Sequence, residues 1–129
     1  MRIHLNTVLV EDQQKALEFY TRKLGFKKKL DMPLGEYRWL TVVSPQDTDG
    51  TELLLEPLGF EPARTYQKAL YEAGIPLTSF AVDDCRAEHS RLKSLGVQFR
   101  DEPVESGGAT LAVLDDTCGN LIQLVQVDG

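Results

Sequence analysis

The chain has 129 residues, 42% apolar and 26% charged, with a formal net charge of −6. That length sets one domain, large enough to bury a core without disulfides or a structural metal. The acidic balance disfavours nucleic acid as a partner, and no apolar run approaches the ~20 residues that span a bilayer. Met1-Arg2-Ile3-His4 leads straight into a strand pattern, so no signal peptide is expected. Cys85 and Cys118 lie far apart and outside any CxxC pattern, which reads as reduced thiols in a cytoplasmic protein.

Residues 3–10 are rich in Val, Leu and Thr and predict a strand. Asp12 is an N-cap, and Ala16, Phe19, Tyr20 and Leu24 form an apolar stripe at helical spacing. Gly25 ends that helix. Phe26 to Met32 predicts a second strand, with Lys27-Lys28-Lys29 on its solvent face rather than in a nucleic-acid patch. Pro33-Leu34-Gly35-Glu36 is turn chemistry, Tyr37 to Val43 a third strand, and Asp49-Gly50 a turn before the fourth strand, Thr51 to Glu56. Glu61-Pro62 opens a linking helix whose apolar face is Tyr66, Ala69, Leu70 and Ala73, with Gly74 as its stop. Leu77 to Val82 predicts a fifth strand. Asp83 or Asp84 caps the next helix, with Ala87, Leu92 and Leu95 inward and His89 on an exposed or half-exposed position. Val97 to Arg100, Gly107 to Leu114 and Leu121 to Val127 complete eight strands, with a tight turn at 115–120.

The order is β-α-β-β-β, a linking helix, then β-α-β-β-β. Asp12 recurs as Asp84 and Gly25 as Gly96, a repeat of about 71–72 residues that fits a duplicated unit. The expectation is an α+β fold. Two paired βαβββ modules form a curved eight-stranded mixed sheet around a concave cleft. The single domain divides into a first module at 1–58, a linking helix at 59–75 and a second module at 76–129.

Val8-Leu9-Val10-x-Asp12, followed by Ala16-Leu17-x-Phe19-Tyr20 and Leu24-Gly25-Phe26, resembles the opening signature of the glyoxalase/bleomycin resistance/extradiol dioxygenase superfamily, the vicinal oxygen chelate proteins. Asp115 to Leu124 resembles its closing signature, and the likeness covers the whole chain. The resemblance implies paired βαβββ modules, a homodimer, and a cleft that often holds a divalent metal.

Metal-dependent members place His, Glu or Gln ligands at four positions. Carried over by motif spacing, these fall on Leu5, Glu52, Leu77 and Gln123. Two are leucines, which cannot bind a cation, and a first-row metal wants at least three protein ligands. No metal and no other cofactor is therefore expected; were one held, Glu52 and Gln123 would be its ligands. His4 stands next to Leu5, but successive strand residues face opposite ways, so it should point away.

If Leu5 faces inward, so do Thr7, Glu52, Glu56, Leu77, Ser79 and Gln123, making a mainly apolar trough with few polar groups. A carboxylate there needs a donor or takes up a proton. Arg38 could supply the donor to Glu52 if the third strand turns it inward; the opposite parity, which lets Leu40 and Val42 pack on the helix, turns Trp39 inward as an aromatic wall. The bland alternatives are a solvated sheet face or a dimer contact for Glu52 and Glu56, plain core for Trp39, and caps or turns for Asp12, Asp83, Asp84, Asp115 and Asp116.

Three functions follow from these residues. The first is a metal-independent small-molecule binding protein, its ligand cationic or aromatic. The second is a lyase, isomerase or dioxygenase using Glu52 as base or weak metal ligand. The third is a dimerising protein-interaction module. No nucleophile elbow, Walker loop or dinucleotide fingerprint supports another chemistry.

Overall fold

The computed structural model describes residues 1–127. Its contacts divide the chain into two compact units, Met1–Thr65 and a second from Tyr66 onward.

The first unit opens with β1 (Leu5–Val10), α1 (Gln13–Glu18), β2 (Lys27–Leu34), β3 (Tyr37–Val43) and β4 (Glu52–Pro57). The strands form one sheet in the order β1-β4-β3-β2, with β1 parallel to β4 and the other pairs antiparallel. Asp12 caps α1 as its composition demands: the carboxylate accepts the Lys15 N–H at 3.0 Å. The helix then widens into a π-helical turn, Phe19–Lys23. That widening turns Phe19 and Tyr20 together into the core, with their rings edge-on at 5.5 Å. Gly25 leaves the turn at φ 89°, a conformation that favours glycine. One face of the sheet packs on this helix through Val8, Val10, Leu40, Val42, Leu53 and Leu55, all buried. Gln13 fastens the two layers: its amide donates to the carbonyls of Arg38 (2.7 Å) and Leu55 (2.9 Å) and accepts the Arg38 N–H (3.0 Å).

The hairpin from β2 to β3 carries a bulge between Lys28 and Leu30. Lys27, Lys28 and Lys29 are exposed, as the sequence predicts.

A 13-residue helix, α2 (Glu61–Ala73), spans the division between the units. Its buried residue is not among the predicted face of Tyr66, Ala69, Leu70 and Ala73: Tyr66 is 55% exposed, while Gln67 is buried. Gln67 wins the inward position because it has polar partners there. Its amide donates to the Cys118 carbonyl (3.2 Å) and to Asn120 Oδ1 (3.0 Å).

The second unit continues with β5 (Thr78–Ala81), α3 (Cys85–Ser94), β6 (Gln98–Phe99), β7 (Val104–Ser106), β8 (Ala109–Asp115) and β9 (Leu121–Val127). Its sheet runs β5-β9-β8-β6, with β7 also on β8, and β5 is parallel to β9. The fold is therefore α+β with two mixed sheets, of four and five strands. The described residues hold nine strands rather than eight, because Val104–Ser106, ahead of the predicted seventh strand at Gly107, pairs with β8 as a short strand of its own.

Asp84 caps α3 by accepting the Ala87 N–H at 3.0 Å, and Gly96 follows it at φ 88°. The inward face of α3 is Cys85, His89 and Leu92; Ala87 and Leu95, expected inside, are exposed. His89, expected at the surface, is 6% exposed. Its ring lies edge-on to Phe99 at 4.4 Å, so an aromatic partner on β6 draws it in. Burial pushes the Cys85 thiol up, and both cysteines are free and buried.

The turn from β8 to β9 is built on Asp116, which is fully buried. Its carboxylate accepts the N–H groups of Cys118 (2.8 Å) and Asn120 (3.0 Å) and the Asn120 side-chain amide (2.8 Å). Gly119 sits at φ 98° with Gln67 where a Cβ would be, at 2.9 Å. Asp115 accepts the Thr117 N–H (2.8 Å) and the Tyr71 hydroxyl. The carboxylate beside the Tyr71 phenol holds its pKa above the usual tyrosine value.

Candidate ligand-binding faces

Each sheet has one face covered by its own helix and one facing the other way. In the first unit, alternation sends Arg38 with Leu40 and Val42 toward α1, and Trp39 with Thr41 to the opposite face. The Arg38 guanidinium is held on its side by a two-pronged pair with Asp31, at 3.0 and 2.7 Å, and by Gln14 at 2.8 Å. That pairing draws the Asp31 carboxyl down to about 2. Arg38 is thus not the partner of Glu52, and Trp39, half-buried, takes the face the alternation prefers for it.

The partner of Glu52 is Thr41. The hydroxyl of Thr41, fully buried, donates to Glu52 Oε1 at 2.8 Å. The same hydroxyl oxygen accepts the Leu30 N–H at 3.2 Å, next to the bulge between Lys28 and Leu30. Glu52 itself is 8% exposed. A buried carboxylate needs such a donor, and nothing in the sequence alone selected Thr41 over its neighbours.

The register brings several predicted residues side by side. Leu5 lies opposite Glu52, Thr7 opposite Leu54, and Leu9 opposite Glu56. Leu5 and Thr7 are half-buried, and Glu56 is exposed. In the second unit, Ser79 lies opposite Gln123, and the Gln123 amide donates to the Ser79 hydroxyl at 3.2 Å. Leu77 precedes β5, half-buried, with its N–H donated to the Leu121 carbonyl at 2.9 Å.

These donor sets do not fit a divalent metal. In the first unit, Glu52 has the hydrocarbon of Leu5 as its strand neighbour and one oxygen already committed to Thr41. In the second, Gln123 offers a neutral amide beside a serine hydroxyl. Among the described residues no group of three or more His, Cys, Asp and Glu is placed to hold an ion, and a first-row metal wants at least three such ligands.

The second unit also carries two depressions that sequence reasoning missed. One, about 500 Å³, lies on the face away from α3, over Leu111, Val113 and Gln123, with Asp101 and Glu102 at its edge. The other, about 480 Å³, lies between α3 and β6, beside His89, Lys93 and Phe99. Both border the segment where β6 gives way to β7; the predicted end of the sixth strand at Arg100 marks that break, but not the short β7 that follows it.

Known proteins fit this geometry. A chain from Bacillus subtilis (strain 168), the uncharacterized protein YurT, is 56% identical over 98% of this chain and 99% of its own. The crystal structure of UcmS2 superposes with a TM-score of 0.84 at 35% identity, covering 97% of each chain. TnmS3, an antibiotic binding protein from Streptomyces sp. CB03234, superposes with a TM-score of 0.77 at 30% identity, covering 99% of this chain and 97% of its own. The family model of the Glyoxalase/Bleomycin resistance protein/Dioxygenase superfamily matches residues 2–124, and the chain belongs to that superfamily.

Proposed function

We propose that the protein is a metal-independent small-molecule binding protein, and that Glu52 and Trp39 are its recognition residues on the first sheet. The observation that carries this reading is the Thr41–Glu52 pair. One carboxylate oxygen is fixed by a buried hydroxyl, and the carboxylate sits among Leu5, Thr7 and Leu54 on the face away from α1. An apolar surface with a few fixed polar groups suits a small organic ligand. The likeness to TnmS3, an antibiotic binding protein, supports the same class of ligand. Ser79 and Gln123 supply a neutral polar pair on the second sheet.

Trp39 is the one tryptophan in the chain, so its fluorescence reports directly on that face. A panel of planar antibiotics and aromatic amines is expected to quench Trp39 and to raise the melting temperature. Glu52→Gln is expected to weaken donor-bearing members about tenfold, the scale of a hydrogen bond to a charged group. Quenching that survives Glu52→Gln undiminished, or a panel with no binder, would overturn the reading. Turnover of a thiol–aldehyde adduct or catechol that Glu52→Gln abolishes would replace binding by catalysis.

Dimerisation belongs to the same proposal. β2 is an edge strand of eight residues, and Met32, Leu34 and Tyr37 on its hairpin are exposed. The apolar end of this edge, at the hairpin, is where pairing with a second copy would form. Sedimentation giving a monomer at all concentrations would remove it.

A further inference from the structure

Of the three side chains that α3 buries, Cys85, His89 and Leu92, the imidazole is the one that changes charge between about pH 5 and 8. Phe99 from β6 covers one side of its ring at 4.4 Å. The residues that β8 and β9 turn toward α3 carry no charge: Thr110, Ala112 and Leu114 alternate inward on β8, and Ile122, Leu124 and Gln126 on β9. Charge reaches His89 from two places. Lys93 stands one turn along α3, and Glu102 comes from the segment between β6 and β7. Glu102 Oε2 is 3.9 Å from His89 Nε2, and Glu102 Oε1 is 3.9 Å from Lys93 Nζ. Arg100 and Asp101 lie on the rim of the same depression, with the Arg100 guanidinium laid over the Tyr71 ring at 4.9 Å. The other charges of the helix are engaged elsewhere: Arg86 with Glu105 at 3.6 Å, and Glu88 with Arg91 at 2.8 Å.

One carboxylate is thus shared between an ammonium group and an imidazole that is charged only when protonated. Both separations exceed hydrogen-bond length, so neither partner has closed on it. The segment that carries Glu102 is fixed at its two ends. Arg100 donates its backbone N–H to the Val113 carbonyl at 2.9 Å, and Val104 pairs with Leu111. Pro103 has no N–H to give. Between those anchors, among the described residues, Glu102 supplies the side-chain ties to α3.

We propose that His89 and Glu102 form a pH-sensitive clasp between α3 and the segment 100–103. A proton from solvent makes the imidazole an imidazolium whose Nε2–H faces Glu102 Oε2. The two close to a charge-assisted hydrogen bond and draw the segment onto α3. Loss of that proton leaves Glu102 to Lys93, and the segment relaxes to the longer tether. The clasp therefore closes as pH falls through the histidine range and opens as pH rises through it. Glu102 borders both depressions of the second unit, so the clasp moves a rim that they share. The proposal goes beyond the binding reading and stands or falls without it.

The chain has two histidines, and His4, which is exposed, serves as an internal reference. Their ring signals can be followed by NMR from about pH 5.5 to 8.5. Glu102→Gln changes a side chain that is 81% exposed and is expected to fold. It should lower the His89 midpoint by roughly 0.5 pH unit, the scale of a partly exposed ion pair, and leave His4 unmoved. Lys93→Gln removes the competing ammonium and should raise the midpoint. Glu105→Gln removes a charge already held by Arg86 and should move it far less. In the parent protein the backbone amide shifts of Asp101, Glu102 and Val104 should inflect at the His89 midpoint, and in Glu102→Gln they should not. A midpoint unmoved by Glu102→Gln, an equal shift from Glu105→Gln, a fall with Lys93→Gln, or parent amides that show no inflection with His89 overturns the clasp.

Discussion

In the first sheet the outer hairpin arm is one unbroken strand, the eight residues of β2. In the second sheet the corresponding edge of β8 carries two short pieces, β6 with two residues and β7 with three, and Arg100 to Pro103 lie between them. Both units start from the same plan of strand, capped helix and glycine exit. The unbroken arm presents a bulge, a row of lysines and, toward the hairpin turn, the exposed Met32 and Leu34. The broken arm yields a depression with two carboxylates at its rim. The two units thus share their opening plan and differ in chemistry where the ladder is interrupted, since an interruption frees side chains from pairing geometry.

The comparison can be broken most severely in the cores. Leu55→Ala and Leu114→Ala each empty a fully buried position, one in each unit. Each is expected to lower stability by about 2–5 kcal/mol in chemical denaturation. If the two variants lose different fractions of the unfolding signal, the units melt separately; a common transition makes them one cooperative body. The next effect belongs to the second unit alone. Asp116→Ala strips two backbone N–H groups and the Asn120 amide of their acceptor, for about 2–4 kcal/mol. Asp116→Asn, which keeps one acceptor oxygen, should lose less.

A smaller loss is expected where the first helix is fastened to its sheet. Gln13→Ala removes the amide that serves Arg38 and Leu55 and should cost about 1–2 kcal/mol. The same measurement reads whether the first unit's helix depends on this one side chain. The smallest effect is electrostatic. Asp31 titrates at about 2, because Arg38 hydrogen-bonds its ionised form. An unfolded aspartate titrates near ~3.9. The pair therefore contributes fully above that value, and its contribution is lost as pH falls toward 2. Carboxyl NMR titration should give the low midpoint in the parent protein and a return toward the ordinary aspartate range in Arg38→Gln.

Much of this was legible in the sequence, and for local reasons. Asp12 and Asp84 announce their helices because a cap acts on an N–H three residues away. Gly25 and Gly96 announce exits because φ is a property of one residue. Trp39 could be oriented because alternation ties it to Leu40 and Val42. The rest depended on partners far along the chain. Gln67 reads as a polar helix residue until Cys118 and Asn120, more than fifty residues away, turn out to need it. His89 reads as a surface histidine until Phe99 covers it. The interruption after Phe99 has no turn glycine to mark it, only Pro103. Glu52 stands out through the ligand spacing that the family resemblance implies, but the donor it requires, Thr41, could be named only once the register was known.

The bulge in β2 gives that last pair a direction. Because Leu30 donates its N–H to the Thr41 oxygen, the threonine hydroxyl is left free to spend its single proton on Glu52. The chain of groups runs one way, from backbone through hydroxyl to carboxylate, and it ends in an acceptor. Whatever meets Glu52 must then arrive as a donor. A one-residue irregularity beside Lys29, on an exposed edge strand, thereby sits next to a second hydrogen bond on the hydroxyl that holds Glu52.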